Sequence, residues 1–394
     1  MRGCLLKPAL ICALSAVAIL CATDDLIAET APTIAPLVDY LHDHWQSPEE
    51  YVVGKFKTHD YVFIGEYHKV KQDILLIHRV IPKLYAAGIC NLGIEFGNHD
   101  LQPQIDSLIT AGEYDEARAR QICFGHITWW GFKEYQDIYR AAWELNHSLP
   151  HDAPRFRVVA LNYSPDYSKL TQEGGDEIWK EVFYRGESDS YMAKIILEEF
   201  VATGEKALIY CGIHHAFTRY LQPIYDYSEN KFIRFVLNRT GNLIHDSLPN
   251  RTWTIALNYP WQSKTAPDQL VVPVMGIIDS VIMQFPDRRV GFDCAGTPFG
   301  ELRDSLTYYG FGYDDFKLSD FCDGYIYQGN FCELDGCTPD TLFVTENNLQ
   351  KAIKGIATWK GQQNYKTVDD FNNTFRYYSS PSWLFHGLCE PDSQ

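Results

Sequence analysis

Short apolar runs alternate with amphipathic segments along the first three-fifths of the chain. The apolar runs have the length of strands and predict five of them, over residues 61–64, 91–94, 156–161, 207–211 and 252–257. Between and before them, apolar residues recur at helical spacing, which predicts helices over residues 37–45, 73–87, 132–145 and 190–202. Strands that alternate with helices indicate an α/β fold, built on a doubly wound, mostly parallel sheet with helices on both faces.

The chain divides into three predicted parts. Residues 1–21 form a signal segment, and residues 31–265 form the α/β domain. The strand-helix alternation weakens from about residue 266, where tyrosines, cysteines and turn residues become frequent. We therefore expect residues 266–394 to form a C-terminal extension, either as a separate domain or as a lid over the first.

The first residues have the pattern of an export signal. Arg2 and Lys7 precede an apolar run over residues 8–21, and acidic residues begin at Asp24. This run is short for a membrane span. It predicts an exported protein, whether periplasmic, secreted or held at the cell envelope. Cleavage can follow an ordinary signal-peptide site, or Cys21 can be lipidated and attach the protein to a membrane, although Leu20 departs from the lipoprotein pattern.

Cysteine usage agrees with export. Eight of the eleven cysteines follow the signal segment, and five of these eight fall in the last hundred or so residues. Outside the cytosol such a group predicts disulfides in the extension. A zinc site is the alternative, but paired C-x-x-C spacings and nearby histidines are missing from this part of the sequence.

Composition and charge narrow the choice of partner. Fifty-one acidic against thirty-four basic residues give a formal net charge of -17, and the sequence has no long Lys/Arg run. Such a chain repels nucleic acid, so a small molecule is the expected partner. Aromatic residues make up 14% of the chain, which favours either a rigid core or an aromatic-lined cleft.

Polar side chains follow four of the predicted strands in turn. They are Glu66 and His68 after the first strand, Glu95 after the second, Asn162 and Asp166 after the third, and His214 and His215 after the fourth. Ligands of open parallel sheets bind beyond the carboxyl ends of the strands. We therefore expect these side chains to meet at one edge of the sheet.

Carboxylates and imidazoles that meet in this way support two kinds of chemistry. Glu66, His68, Glu95 and His215 could ligate a divalent metal such as zinc, manganese or iron. Alternatively, a carboxylate could orient a histidine that activates water without a metal. Each group alone could simply cap a strand, but four strand ends together favour a functional site. The sequence has no G-x-S-x-G, Walker loop, dinucleotide fingerprint or C-x-x-C-H motif.

Four motifs in a fixed order resemble a known superfamily. They are Val62-Phe63-Ile64-Gly65-Glu66-Tyr67-His68, Gly93-Ile94-Glu95, the Tyr191-Met192-Ala193 helix, and Gly212-Ile213-His214-His215. The pattern is similar to that of the superfamily containing erythromycin esterases, ChaN-like haem-binding lipoproteins and the Tiki (TraB) proteins. The resemblance covers about residues 61–216 and implies that Arg185 is the arginine this superfamily carries before its Met-Ala helix.

The resemblance implies a shared site and leaves the reaction open. Members look like metal-dependent hydrolases, metal-independent esterases with a histidine base, or haem and iron binders at the cell envelope. The favoured function is hydrolysis of an ester- or amide-type bond by Glu66, His68, Glu95, Arg185 and His215, with His214 as a further cofactor contact. Arg185 would stabilise an oxyanion or anchor a substrate carboxylate.

Two other functions stay open at this point. The first is a non-catalytic haem- or iron-binding envelope lipoprotein, whose apolar slot would come from the aromatic-rich residues 124–139. The second is an interaction module in which the site is a relic. Asn162 stands where many relatives would offer an acid, which leaves a complete metal shell in doubt.

Overall fold

The computed structural model describes residues 34–172 and 174–389. The predicted signal segment and its Cys21 lie outside these residues. Within the described ranges, no helix combines the length and apolar character needed to cross a bilayer.

Eleven strands occur in the described residues, of which seven form one central sheet. In chain order they are β1 Tyr61–Glu66, β2 Asn91–Asn98, β3 Arg157–Asn162, β4 Ala207–Gly212, β5 Gln222–Asp226, β6 Lys231–Val236, β7 Thr252–Leu257, β8 Trp261–Gln262, β9 Leu270–Val271, β10 Val290–Asp293 and β11 Gly324–Tyr327.

Sixteen α-helices connect and cover these strands in the described residues. They are α1 Ala35–His44, α2 Pro48–Lys55, α3 Lys71–Ala86, α4 Gln102–Ile109, α5 Glu116–Phe124, α6 Lys133–Ser148, α7 Asp176–Val182, α8 Ser188–Ile196, α9 Ile213–Ala216, α10 Thr240–Ser247, α11 Ile277–Ile282, α12 Leu318–Phe321, α13 Leu349–Lys354, α14 Trp359–Asn364, α15 Val368–Tyr378 and α16 Pro381–Leu384. A π-helical turn, Leu197–Val201, continues α8.

The central sheet has the order β10-β11-β7-β1-β4-β2-β3. All neighbouring strands are parallel except β10, which runs antiparallel to β11. Strand β1 lies in the middle, between β7 and β4, so its carboxyl end opens at the centre of one edge of the sheet. This is the mostly parallel α/β sheet predicted from the sequence, and the prediction is confirmed.

Both faces of the sheet are covered. Side chains alternate along a strand, so Tyr61 and Phe63 of β1 pack in one core cluster while Val62 and Ile64 pack in the other. The first cluster includes apolar side chains of α1, α8, α10 and α11, and the second includes those of α2 to α6. A strand buried on both sides reads as a continuous apolar run, which explains why β1 is recognisable in the sequence.

The predicted elements correspond to observed ones with shifts of a few residues. The five predicted strands are β1, β2, β3, β4 and β7, and the four predicted helices are α1, α3, α6 and α8. Helix α3 ends at Ala86, and Gly88 follows with a left-handed φ of 82°, as expected of a glycine that terminates a helix.

Residues after 265 are built into the same sheet. They supply β10 and β11, which extend the sheet beside β7. Apolar side chains from α13 and α15, such as Leu349 and Phe371, join the cluster that contains α3 and α6. The predicted division at residue 266 stays a prediction, but this part of the chain shares strands and core with the part before it.

One disulfide lies in the C-terminal part. Cys332, just after β11, is bonded to Cys389, which follows α16 across a separation of 57 residues. Phe331, Leu384 and Phe385, which lie within a few residues of the two cysteines in sequence, form a small buried cluster with Val70. Cys123 and Cys211 are buried free thiols, and Cys90 is a partly buried one. Of the five cysteines of the extension, only Cys332 and Cys389 form the predicted kind of bond, whereas Cys294, Cys322 and Cys337 are free.

Removing the disulfide is expected to destabilise the fold. Closing a loop of this length restricts the unfolded chain, so the double variant Cys332→Ser/Cys389→Ser should lose about 2–4 kcal/mol of unfolding free energy. Urea denaturation without reductant measures the loss. Cys90→Ser, which removes a free thiol, is the control, and equal stability of the double variant and this control would contradict the expectation.

Candidate active site

The carboxyl ends of three parallel strands meet beside one another. In the β1–β4 register Glu66 lies opposite Gly212, so the end of β1 adjoins the start of α9 with His214 and His215. On β2, the pairing with β3 shifts register between Ile94 and Asn98. Glu95 lies in this irregular stretch, where a strand can re-aim a side chain. Its carboxylate accepts a hydrogen bond from the Gly212 N–H at 2.7 Å.

Glu66 and His68 form the first polar group of the site. The His68 Nδ1–H donates to Glu66 Oε1 at 2.7 Å. The Tyr135 hydroxyl donates to the same oxygen at 2.5 Å, and the Tyr210 hydroxyl donates to Oε2. Glu66 is completely buried, and these three donors satisfy its negative charge. They also place the His68 proton on Nδ1, which leaves Nε2 as an acceptor.

The two tyrosines remain protonated donors. Burial and the charge of Glu66 raise the pKa of Tyr135 and of Tyr210 well above the ordinary value. Behind them, Asp73 is fully buried, and burial together with Glu66 raises its pKa well above the usual range. The Gln328 amide donates to Asp73 Oδ1 at 2.8 Å. Burial and the nearby Glu66 therefore both favour the protonated form of Asp73.

Aromatic rings flank the His68 imidazole. The rings of Trp130 and Phe96 lie edge-on to it, with centroids 5.1 and 5.6 Å away, and stack on each other at 5.1 Å. Trp130, one of the aromatic-rich residues 124–139, thus contributes to the surroundings of His68. His68 itself remains 38% exposed, so a ligand can reach its ring.

Glu95 and His215 begin a second polar group. His215 Nε2 lies 3.4 Å from Glu95 Oε1, and its Nδ1–H donates to Asp189 Oδ1 at 2.7 Å. Arg239 Nη1 donates to the other Asp189 oxygen at 3.0 Å, and the Thr240 N–H donates to Oδ1 at 2.8 Å. The result is a continuous chain of alternating charges from Glu95 through His215 and Asp189 to Arg239.

The pKa shifts in this chain favour the charged forms. Burial alone would raise the pKa of Glu95, but the charge of His215, the neighbouring His68 imidazole and the Gly212 N–H outweigh it and lower that pKa. Burial would likewise lower the pKa of His215, but Glu95 and Asp189 raise it instead. Asp189 has its pKa depressed, against its burial, by His215 and Arg239. The group therefore holds an imidazolium between two carboxylates.

Gly212 brings the two polar groups together. A Cβ at this position would lie 2.6 Å from His68 Cε1 and 3.4 Å from Glu95 Oε2. A side chain at residue 212 would therefore displace the His68 ring from its place beside Glu95. Glycine is favoured at this position because the His68 ring approaches the backbone closely. The backbone conformation itself, with φ -58°, is one that any residue adopts.

An open cleft of about 370 Å³ faces this arrangement. His68, His214 and His215 line one side, and Tyr67, Tyr259, Leu270 and Trp383 give it an apolar character. His214 Nε2 lies 3.2 Å from the Tyr309 hydroxyl. Burial and the nearby Arg239 lower the pKa of His214 to about 3, so this imidazole is neutral. Neutral His214 and the His215 imidazolium are thus adjacent residues with different roles.

His126 is a further imidazole near Glu95. Burial lowers its pKa to about 4, and the Glu95 charge acts in the opposite direction. Its Nδ1 is buried and has no hydrogen-bond partner in the described part of the chain. His126 is therefore a neutral imidazole near Glu95 and adds no positive charge to the site.

The structure separates the other predicted site residues from the cleft. Arg185 donates to the Tyr191 hydroxyl at 2.8 Å and to Asp100 at 2.9 Å, and within the described ranges no hydrogen bond or ion pair joins it to Glu95 or His215. Asn162 Oδ1 accepts from the Tyr163 N–H, and Asp166 caps the short turn at Ser168. Asn162 and Asp166 therefore have local structural partners.

Several residues of the site were not anticipated from the sequence. Asp189 lies in the first turn of α8, where an acid is ordinarily interpreted as complementing the helix dipole. Arg239 immediately precedes α10, where a basic residue has no distinctive spacing. Tyr135 and Tyr210 lie within a helix and a strand whose apolar pattern they continue. Only Glu66-x-His68 carried a local signal, because two residues separated by one share a side in extended backbone.

Comparison with known families agrees with the superfamily that the four sequence motifs resemble. A family model described as haem-binding uptake, Tiki superfamily, ChaN matches residues 52–188. The matched segment includes Glu66, His68, Glu95 and Arg185 and ends before His215. The resemblance to the ChaN and Tiki superfamily inferred from the motifs is confirmed over this segment. No curated protein sequence matches the chain.

Solved structures with related folds share little sequence with this chain. ChaN of Campylobacter jejuni, solved with cofacial haem, is 12% identical over 55% of this chain and 86% of its own, with a TM-score of 0.36. A succinoglycan biosynthesis protein is 11% identical over 75% of this chain and 97% of its own, with a TM-score of 0.49. The type III effector HopBA1 is 16% identical over 55% of this chain and 86% of its own, with a TM-score of 0.35.

Proposed function

We propose that the protein hydrolyses an ester- or amide-type bond with His68 as general base. The observation that carries the proposal is the Glu66–His68 pair: a buried carboxylate with three donors fixes the tautomer of a partly exposed histidine at the wall of a cleft. A carboxylate that orients an imidazole in this way makes it a base toward water or a substrate hydroxyl.

The neighbouring groups support this role electrostatically. When His68 Nε2 accepts a proton, the Glu66 and Glu95 carboxylates stabilise the imidazolium that forms. His215 and Arg239 in turn balance the charges of Glu95 and Asp189, so the site holds its anions without protonating them. Neutral His214 lines the cleft and can contact the leaving group. The predicted role of Arg185, to bind an anionic group of the substrate, stays a hypothesis. It requires a substrate that is long enough to extend from the cleft to Arg185.

The side chains fit a metal-free site better than a divalent metal. The described residues contain no group of three or more His, Cys, Asp or Glu placed to hold a metal ion. Both oxygens of Glu66 accept tyrosine or histidine protons, and both nitrogens of His215 face carboxylates. Zinc, manganese or iron would have to displace these partners. The proposed mechanism therefore uses only the side chains of the site.

The Glu66–His68 pair can be tested by replacing the carboxylate. Glu66→Gln keeps the size of the side chain but offers an amide, which no longer fixes the His68 proton on Nδ1. Hydrolysis of chromogenic esters and anilides by the chelator-treated wild type is expected, and the variant should lose at least tenfold in kcat. His147→Gln, at the exposed end of α6, is the matched control. Wild-type activity that requires added metal, or full activity of Glu66→Gln, would contradict the proposal.

Haem binding is a second candidate, favoured by the family model and by the composition of the cleft. An axial histidine commonly donates its other N–H to a carboxylate, as His68 donates to Glu66. The apolar cleft side chains could contact a porphyrin, and Lys69 at its edge could pair with a propionate. Bound haem would supply iron coordination, for uptake or for electron transfer.

An absorption titration tests this candidate. Haem added to the protein is expected to give a saturable Soret band with a 1:1 end point if His68 is the axial ligand. His68→Gln should shift or remove the band, whereas His147→Gln should leave it unchanged. A band that is identical in all three proteins would exclude His68 as the ligand.

We propose that the protein acts outside the cytoplasm. The charge and apolar pattern of residues 1–21 and the Cys332–Cys389 disulfide support export. Cleavage without lipid and lipidation at Cys21 remain the two forms of this proposal. The intact mass of the mature protein distinguishes them, because a lipidated Cys21 adds the mass of its acyl chains.

A further inference from the structure

Lys69 follows His68 and has an unusual backbone. Its φ is 74°, in the left-handed region that non-glycine residues rarely adopt. This conformation costs about 1–2 kcal/mol. Two contacts maintain it: the Lys69 N–H donates to the Tyr135 hydroxyl at 3.1 Å, and the Cys337 N–H donates to the Lys69 carbonyl at 2.8 Å. Strained residues held by their surroundings cluster at functional sites.

The Lys69 ammonium group lies among aromatic rings. Its Nζ is 5.2 Å from the Tyr378 ring centroid, 5.7 Å from that of Trp383 and 5.9 Å from that of Phe132. Among the described residues, no carboxylate lies within ion-pair distance of it. Burial lowers the pKa of Lys69, and the Glu66 charge opposes this shift. A partly buried cation that contacts aromatic rings but has no counter-ion favours an anionic ligand.

A second cavity, here called the aromatic pocket, opens beside the cleft. It has a volume of about 390 Å³ and is lined by Trp129, Phe132, Tyr365, Phe375 and Tyr378. Lys69 and Trp383 line both the aromatic pocket and the cleft. The cation therefore lies between the proposed base His68 and a cavity whose walls are mainly aromatic.

We propose that the aromatic pocket is a substrate subsite, and that the substrate is an anionic ester or amide with an aromatic or long apolar tail. The inference rests on the proposed hydrolytic function. The tail occupies the aromatic pocket, a carboxylate next to it pairs with Lys69, and the scissile carbonyl extends into the cleft toward His68. Such a substrate complements the two observations that the cleft alone leaves unexplained: an unpaired cation and a row of aromatic side chains beside it.

The charge of the chain sharpens this preference. With a formal net charge of -17, the protein repels anions in general, so an anion binds where a local cation outweighs the overall field. A neutral apolar ligand could pack against the aromatic rings but would leave the Lys69 ammonium group without a counter-ion. The subsite should therefore select anionic over neutral ligands of the same shape.

Binding of two non-hydrolysable probes tests the subsite separately from catalysis. The probes are 2-naphthoate and the neutral 2-naphthyl methyl ketone, titrated calorimetrically into the full chain. We expect wild type to bind the carboxylate at least tenfold more tightly than the ketone. Lys69→Met should remove this preference and leave ketone affinity within about twofold, and Lys180→Met, on exposed α7, is the charge control.

A ring variant keeps the test decisive if Lys69→Met folds poorly. Tyr378→Leu should weaken both probes at least threefold, whereas Tyr377→Leu, an exposed neighbour outside the pocket lining, should not. Equal affinity of the two probes for wild type, or unchanged binding by Tyr378→Leu, would overturn the proposal. Lys69-dependent binding in a protein without hydrolytic activity would support the subsite and refute the hydrolase, whereas hydrolysis without charge preference would do the reverse.

Discussion

His68→Gln is expected to lower kcat by about 10²–10⁴-fold on any ester or amide that the wild type hydrolyses. Glutamine has a similar reach and can still donate to Glu66, but it offers no basic nitrogen to the cleft. The site also contains a second carboxylate–imidazole pair, Glu95 and His215. The size of the loss in kcat therefore shows whether His68 or His215 accepts the proton. His215 has both nitrogens engaged, whereas His68 Nε2 has no partner among the described residues.

Two further measurements on His68→Gln separate a loss of catalysis from a loss of folding or of substrate binding. The variant should keep its thermal unfolding midpoint within a few degrees, because His68 is partly exposed and contributes little to the core. KM should change less than kcat, since the loss concerns the transition state. A His68→Gln protein that retains more than a tenth of wild-type kcat would show that another group is the base.

Asp189→Asn is expected to have the largest effect on stability, about 3 kcal/mol of unfolding free energy at neutral pH. The change removes the charge that His215 and Arg239 share, so that Arg239 loses its carboxylate partner and His215 keeps only Glu95. Chemical denaturation of the variant and the wild type measures the difference. Asp315→Asn is the matched control, because Asp315 pairs with Arg303 on the exposed surface and its loss should be much smaller.

The pH dependence of this effect has a defined sign. The pKa of Asp189 is lower in the folded protein than in the unfolded chain, where it is about 3.9. Its stabilisation is therefore complete above that unfolded value and declines as the pH falls through the folded one. The difference between wild type and Asp189→Asn should shrink below about pH 4. A difference that stays constant down to pH 3 would contradict the assigned charges.

The fold could be predicted where strands are buried on both faces. Strands β1, β2, β3, β4 and β7 are continuous apolar runs because helices cover the sheet on each side, and such runs are distinctive. Strands β10 and β11 were missed because each has four residues, and Gly291-Phe292-Asp293 has the composition of a turn. Their place in the sheet depends on the pairing of β11 with β7, a contact between residues about seventy positions apart, and on the pairing of β10 with β11.

The site could be predicted only in part, for a related reason. Topology alone places Glu66, Glu95 and His215 at neighbouring strand ends, and the structure brings these three residues together. The partners that set their charges come from elsewhere in the chain. Asp189 reaches His215 from α8, and Arg239 reaches Asp189 from the residue before α10, so neither follows from strand order. Asn162 ends β3, the edge strand of the sheet, and its side chain accepts a hydrogen bond from its own neighbour Tyr163.

The wall of the cleft has a consequence for biosynthesis. Trp383 belongs to α16, among the last residues described, whereas His68 and Glu95 belong to the first quarter of the chain. During synthesis the whole central sheet can therefore form before the cleft and the aromatic pocket have their shared wall. A chain stopped at residue 379 would contain all the described strands and both carboxylate–histidine pairs, Glu66–His68 and Glu95–His215. It would lack Trp383, so His68 would face bulk water on the side of the cleft that Trp383 lines. Ligand selection thus arises only after α16 has been synthesised.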